Sequence, residues 1–73
     1  MPLIEVTLVN GRTPQELRSL IHELTEGVIK ALGVPQQSVR VALRELPKTH
    51  WAAGDVTIAE REAAAAEAGG GGN

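Results

Sequence analysis

The chain has 73 residues, no cysteine and a formal net charge of −2. A chain of this length forms one domain that buries only about 60% of its unfolded surface, so it usually needs disulfides, a metal or further copies of itself to be stable. Without cysteine, disulfides and thiolate metal sites are excluded, and the two histidines, His22 and His50, lack the spacing of metal ligands. Oligomerisation is the remaining source of stability.

The composition also argues against two classes of partner. There is no basic run and only one aromatic residue, which disfavours nucleic-acid binding. No apolar stretch reaches the ~20 residues of a membrane span, and no signal sequence is recognisable at the start. We therefore expect a cytoplasmic protein that binds neither nucleic acid nor membrane.

The first predicted element is a β-strand that starts directly behind the initiator methionine. Side chains alternate from Pro2 to Val9, with Ile4, Val6 and Leu8 on one face, which is the periodicity of a strand. The Asn10-Gly11 pair then breaks the pattern. Because the following run is helical, we predict a strand-to-helix turn at this pair rather than a hairpin.

A well-delimited helix is predicted next. Thr13 is a good N-cap, Pro14 suits the first helical position, and Glu16 completes a Thr-x-x-Glu capping box. Gly33 is predicted to end the helix in the left-handed conformation, and close packing is expected beside Gly27. The predicted apolar face consists of Leu17, Leu20, Ile21, Leu24, Val28 and Leu32.

The second half of the chain completes a βαβ unit. Alternation resumes from Ser38 to Leu46, so two parallel strands with a right-handed crossover are predicted. From Pro47 to Ile58 the pattern is turn-like, with a small hairpin at Gly54-Asp55, and a helix is predicted from Glu60 to Ala68. The fold class is therefore α/β (α+β), with a single β-α-β unit and a small C-terminal hairpin.

This architecture has consequences for domain organisation and assembly. We predict a domain over residues 1–62 and a flexible Ala/Gly-rich tail over residues 63–73. A two-stranded sheet is not stable alone, and its face away from the helix still carries apolar residues such as Leu3 and Val9. We therefore expect sheets shared between copies of the chain.

Pro2, Arg12, Arg40 and Trp51 are the candidate site residues. The initiator methionine is generally removed before proline, which would leave Pro2 as a secondary amine on a rigid ring. Taken singly, Arg12 and Arg40 are most often solvated charges, and Trp51 is by default a core or interface residue. Only their combination points to a chemical site.

The combination resembles the 4-oxalocrotonate tautomerase family, also called 2-hydroxymuconate tautomerases. The resemblance runs from Pro2 to about Arg61 and keeps the order and spacing of the family. The matching segments are the amino-terminal Pro2, the turn Asn10-Gly11-Arg12-Thr13, the strand segment Ser38-Val39-Arg40-Val41, and His50-Trp51 before the late glycine.

The resemblance implies a tautomerase (MIF-like) fold and an isomerase of aromatic catabolism that acts on 2-hydroxymuconate or a similar carboxylate. It implies that Pro2 is the catalytic base and that Arg12 and Arg40 bind the substrate, with Arg40 also catalytic. Trp51 stands where the family usually has Phe and is expected to contact the substrate. A homohexamer is implied as well, a trimer of dimers whose sites draw residues from neighbouring subunits.

A tautomerase needs a base that is uncharged near neutral pH, so that it can accept a proton from the substrate. An ordinary α-amine has a pKa of about 7.7–8.0, and the secondary amine of proline is more basic. We expect desolvation by Trp51 and repulsion by the arginines to lower the pKa of Pro2. One arginine is expected to anchor the distal carboxylate and the other to polarise the 2-hydroxy or 2-oxo end. The resemblance favours Arg12 for the first role and Arg40 for the second, whereas composition alone does not assign them. No metal or organic cofactor is needed.

Other functions stay open from the sequence. The chain could act on another enol, such as phenylpyruvate or a biosynthetic intermediate, because Trp51 alters the pocket volume. It could also be a non-catalytic binding subunit of an oligomer. The fold family that the chain resembles also includes dehalogenases and hydratases, which need a carboxylate near the proline to activate water. The segment Trp51-Ala52-Ala53-Gly54 offers none, so hydrolytic dehalogenation ranks well below tautomerisation.

Overall fold

The computed structural model describes residues 1–69 and confirms the βαβ unit with its small hairpin. β1 and β2 form a parallel two-stranded sheet, and β3 and β4 form an antiparallel pair. Residues 70–73, most of the glycine-rich end, lie outside the described residues. In chain order the elements are β1 (Leu3–Val9), α1 (Pro14–Leu32), a 3-10 helix (Gln36–Ser38), β2 (Arg40–Leu46), a second 3-10 helix (Lys48–His50), β3 (Ala52–Ala53), β4 (Val56–Thr57) and α2 (Ile58–Gly69).

The predicted boundaries of α1 are confirmed. The hydroxyl of Thr13 accepts a hydrogen bond from the Glu16 N–H at 3.1 Å, and the Glu16 carboxylate accepts one from the Thr13 N–H at 2.9 Å. At the other end Gly33 is left-handed with φ 68°, and its N–H donates to the Ile29 carbonyl. α1 is thus closed at both ends by local hydrogen bonds that the sequence already indicates.

Replacing Thr13 with alanine should lower the free energy of unfolding by about 1 kcal/mol, because the Glu16 N–H loses its cap. The hydrogen bond from the Thr13 N–H, and secondarily the charge of Arg12, lower the pKa of Glu16 from its usual 4.5. That carboxylate therefore stabilises α1 fully above about pH 4.5, and the contribution is lost as the pH falls through the lowered pKa of the folded chain.

Urea unfolding followed by circular dichroism at pH 7 and pH 3, at one fixed protein concentration, checks both effects. Ser19→Ala, an exposed mid-helix change, is the matched control and should stay within about 0.5 kcal/mol of the parent. Equal stability of Thr13→Ala and the parent at pH 7 would contradict the capping role.

Two predicted boundaries are wrong by two residues. The second strand begins at Arg40 rather than Ser38, because the Ser38 N–H and hydroxyl both donate back to the Pro35 carbonyl and close a 3-10 turn. The last helix begins at Ile58 rather than Glu60. A second capping box causes this earlier start, since Thr57 and Glu60 exchange backbone-to-side-chain hydrogen bonds of 2.9 and 3.0 Å.

The sheet has one covered and one exposed face. In register, Leu3 lies opposite Arg40 and Val6 opposite Leu43. The predicted alternation is confirmed over residues 3–8 and 40–44, where the side chains toward α1 are half-buried and those on the other face are exposed, Leu3 by 60%. It ends at the carboxyl ends of the strands, where Val9 and Leu46 are half-buried and Glu45 is exposed. Leu32, predicted to belong to the apolar stripe of α1, is instead 64% exposed in the last helical turn.

Nothing in residues 1–69 is fully buried, so a single chain does not close its hydrophobic core. Its radius of gyration is 17.2 Å, whereas a compact chain of this length has about 11 Å. The close packing predicted at Gly27 is also missing within the single chain, because a Cβ there would meet nothing within 4 Å apart from its chain neighbours and the nearby backbone of its own helix. The apolar surface left open is the kind that further copies of a chain cover.

The C-terminal helix α2 packs mainly against the second 3-10 helix and β4. It runs across the boundary predicted at residue 62, and the division into a domain and a tail stays a prediction. No helix among the described residues is long and apolar enough to cross a membrane.

Candidate active site

Pro2 lies immediately before β1 and is held to the second strand. Its carbonyl accepts a hydrogen bond of 2.9 Å from the Arg40 N–H, which extends the parallel ladder by one step beyond β1. Pro2 is half-buried, and Met1 before it is 86% exposed. While Met1 is attached, the ring nitrogen of Pro2 is an amide; removal of Met1 converts it into an amine at a fixed position.

Arg40 is placed beside Pro2 by the start of β2. Its guanidinium Nη1 donates a short hydrogen bond of 2.6 Å to the carbonyl of Gln37, so the preceding 3-10 helix orients this exposed side chain. The parallel register puts both residues at the amino-terminal end of the sheet. Of the four predicted site residues, the structure brings these two together within one chain.

Arg12 lies at the opposite end of the sheet. It follows Gly11, whose φ of 129° only glycine adopts without strain, so the turn after β1 points the chain toward α1. The guanidinium is 3.8 Å from the Glu16 carboxylate, and the arginine side chain is 61% exposed. The seven residues of β1 separate Arg12 from Pro2, a distance of about 20 Å or more at the usual strand rise.

Trp51 also follows the carboxyl end of β2. It caps the second 3-10 helix, is 36% exposed, and its carbonyl accepts a hydrogen bond of 2.9 Å from the Ile58 N–H. This bond joins the residue to the start of α2. Trp51 and Arg12 thus both lie beyond the end of the sheet that is remote from Pro2.

An open groove of about 510 Å³ lies at the carboxyl end of the sheet. Arg12 lines it from the β1 side and Lys48 from the β2 side, and Lys48 Nζ is 2.9 Å from a carboxylate oxygen of Glu62 on α2. The remaining lining is supplied by Glu62 itself and by Leu8, Val9, Asn10, Gly11 and Ile58. The groove therefore combines apolar side chains with two cations and one carboxylate, and its two cations suit an organic carboxylate.

The sequence reasoning did not single out Lys48 or Glu62. A signal for Lys48 was available, because the carboxyl ends of parallel strands share one edge, and Lys48 follows β2 as Arg12 follows β1. No comparable signal exists for Glu62, since its place depends on how α2 packs. His22 and His50 are exposed, and no group of residues suited to a metal ion occurs in residues 1–69.

Comparison with known proteins connects this arrangement to one family. The model of the tautomerase family, described as "Tautomerase enzyme", matches residues 2–61. The 2-hydroxymuconate tautomerase of Pseudomonas putida is 30% identical over 60 residues, which cover 82% of this chain and 95% of that protein.

Solved structures agree with this match. TomN, a 4-oxalocrotonate tautomerase homologue in the tomaymycin biosynthetic pathway, superposes with a TM-score of 0.83 at 45% identity, covering 85% of this chain and 95% of its own. A heterohexameric 4-oxalocrotonate tautomerase from Chloroflexus aurantiacus superposes with a TM-score of 0.79 at 33% identity, covering 82% and 97%. The similarity extends over nearly the whole length of each protein.

Proposed function

The chain belongs to the tautomerase family, a family of isomerases, and from this premise we propose that it moves a proton within a conjugated 2-hydroxy/2-oxo dienoate. 2-Hydroxymuconate is the substrate we propose, with the amine of Pro2 as general base. The proposal is supported most directly by Pro2, a proline that becomes a chain terminus once Met1 is removed and whose place the ladder to Arg40 fixes.

The proposed reaction has two proton transfers. The neutral ring nitrogen of Pro2 takes the proton of the 2-hydroxyl, so that an O–H bond breaks and an N–H bond forms while negative charge spreads over the dienolate. The resulting ammonium then delivers the proton to a carbon further along the conjugated chain, and the 2-oxo form results. The ring nitrogen of Pro2 is neutral again after the second transfer, so proline acts as a catalyst and no other reactant is consumed.

The two arginines have separate roles in this proposal. Arg40 stands next to Pro2 and would stabilise the oxygen on which charge develops. Arg12 would hold the distal carboxylate, for which its forked guanidinium is suited. The cations and the apolar surface of Trp51 both disfavour the ammonium form, which is how the site would lower the pKa of Pro2.

Because Pro2 and Arg12 lie at opposite ends of the sheet, the proposed site needs two copies of the chain. A two-fold axis perpendicular to the sheet would pair two edges antiparallel and bring the amino-terminal end of one sheet to the carboxyl end of the other. Pro2 of one copy would then face Arg12 and Trp51 of its neighbour. We propose that such dimers assemble as a homohexamer; the cytoplasmic location stays a prediction.

A second substrate class is favoured by one observation. TomN, at 45% identity, belongs to a biosynthetic pathway, and Trp51 gives this chain a larger flat wall than phenylalanine would. An enol of a biosynthetic intermediate, or an aromatic enol such as that of phenylpyruvate, is therefore the alternative to 2-hydroxymuconate.

Steady-state turnover of 2-hydroxymuconate and of enol-phenylpyruvate by the chain starting at Pro2 separates the two classes. We expect kcat/KM to be at least about tenfold higher for 2-hydroxymuconate, since only a dicarboxylate engages both arginines. A preference for phenylpyruvate would replace the proposed substrate by the aromatic alternative, and no turnover of either would contradict both.

A further inference from the structure

The groove at the carboxyl end of the sheet holds a second cation that the proposed reaction does not use. Lys48 comes from the end of β2 and lines the same groove as Arg12 from the end of β1. Each cation is paired with one carboxylate from a helix, Arg12 with Glu16 at 3.8 Å and Lys48 with Glu62 at 2.9 Å. The groove thus contains two cations whose present partners are both side chains of this chain.

The pair between Lys48 and Glu62 has the features of an exchangeable contact. The two side chains are 47% and 58% exposed, and ion pairs this exposed contribute little to stability. A lysine ammonium on a flexible stem can exchange one carboxylate for another without moving the backbone. A carboxylate ligand entering the groove can therefore replace Glu62 as the partner of Lys48.

We propose that Lys48 is a second cationic ligand, beside Arg12, for the distal carboxylate of the substrate, and that Glu62 competes with that carboxylate for it. This inference rests on the proposed function and deepens it, because it makes the groove selective for dicarboxylates over monocarboxylates. Lys48 binds the substrate at a distance from the reacting atoms, so it affects binding and leaves the proton transfers unchanged.

The test compares two dienols that differ only at the distal end. 2-Hydroxymuconate has the distal carboxylate and 2-hydroxy-2,4-pentadienoate lacks it. Lys48→Ala should raise KM for 2-hydroxymuconate about three- to tenfold, with kcat and the kinetics of the monocarboxylate unchanged. Glu62→Gln should shift KM for 2-hydroxymuconate in the opposite direction, because the competing charge is removed, and Lys48→Arg should retain low KM.

KM changes of opposite direction in Lys48→Ala and Glu62→Gln would show that Lys48 binds the substrate, rather than only linking α2 to the second 3-10 helix through Glu62. If Lys48→Ala and Glu62→Gln change both substrates alike, the pair is structural and the proposal is overturned. Lys30→Ala, on the last turn of α1 away from the groove, is the matched control. Failure of the proposed function itself would give a different result, since the parent chain would then turn over neither dienol.

Discussion

A chain that keeps Met1 should be at least about 100-fold less active on 2-hydroxymuconate than the same chain starting at Pro2. General base catalysis contributes about 100- to 10,000-fold, and the amide nitrogen that Met1 imposes on Pro2 has no lone pair available for a proton. Met1 is 86% exposed, so its presence disturbs no packing of the described chain. The loss should therefore be chemical rather than structural.

The comparison is made with two synthetic chains, residues 1–73 and residues 2–73. Sedimentation and circular dichroism should be the same for both, while only the shorter chain turns over substrate. In the shorter chain, NMR titration of the Pro2 nitrogen should give a pKa below about 7.7, the lower end for an ordinary α-amine. Equal activity of the two chains would remove Pro2 from the mechanism.

Truncating the two arginines should give losses of different kinds. Arg40→Ala should lower kcat about 100- to 1,000-fold, as expected when a group that stabilises the developing oxyanion is removed. Arg12→Ala should raise KM about tenfold or more and affect kcat less, because a charged hydrogen bond to a carboxylate of the bound substrate is lost.

Arg18→Ala serves as the control for both variants, because Arg18 is an exposed cation on α1 outside the groove. Its kinetics should match those of the parent. Unchanged kcat and KM in both Arg12→Ala and Arg40→Ala would exclude the arginines from substrate binding and from catalysis.

Local structure could be predicted because each boundary has its cause within a few residues. Thr13 and Glu16 cap α1, Gly33 ends it, and the alternation of β1 and β2 sets the faces of the sheet. The start of α2 is equally local, since Thr57 and Glu60 form a second capping box of the same kind, which the sequence also contains.

Longer-range features differ in how far the sequence determines them. The separation of Pro2 from Arg12 follows from strand length and parallel pairing, so it was implicit in the predicted βαβ unit, and the structure makes it explicit. The pairing of Lys48 with Glu62 depends on how α2 packs against the second 3-10 helix, and no periodicity encodes that contact. The apolar side chains that stay partly exposed in the single chain need contacts with another copy to be buried, and the pattern of one sequence does not specify those contacts.

The central claim is that the active site joins Pro2 of one copy to Arg12 of another, and co-refolding two impaired chains tests it most directly. Activity is measured with 2-hydroxymuconate well below the parental KM, where the raised KM of Arg12→Ala also lowers the rate. One partner is residues 2–73 with Arg12→Ala; the other is residues 1–73, with Met1 retained and Arg12 intact. Random mixing should restore about a quarter of the parental number of sites, because each shared site needs one group from each kind of chain. Activity that stays at the level of the separate chains, despite mixed oligomers seen by native mass spectrometry, would contradict a shared site.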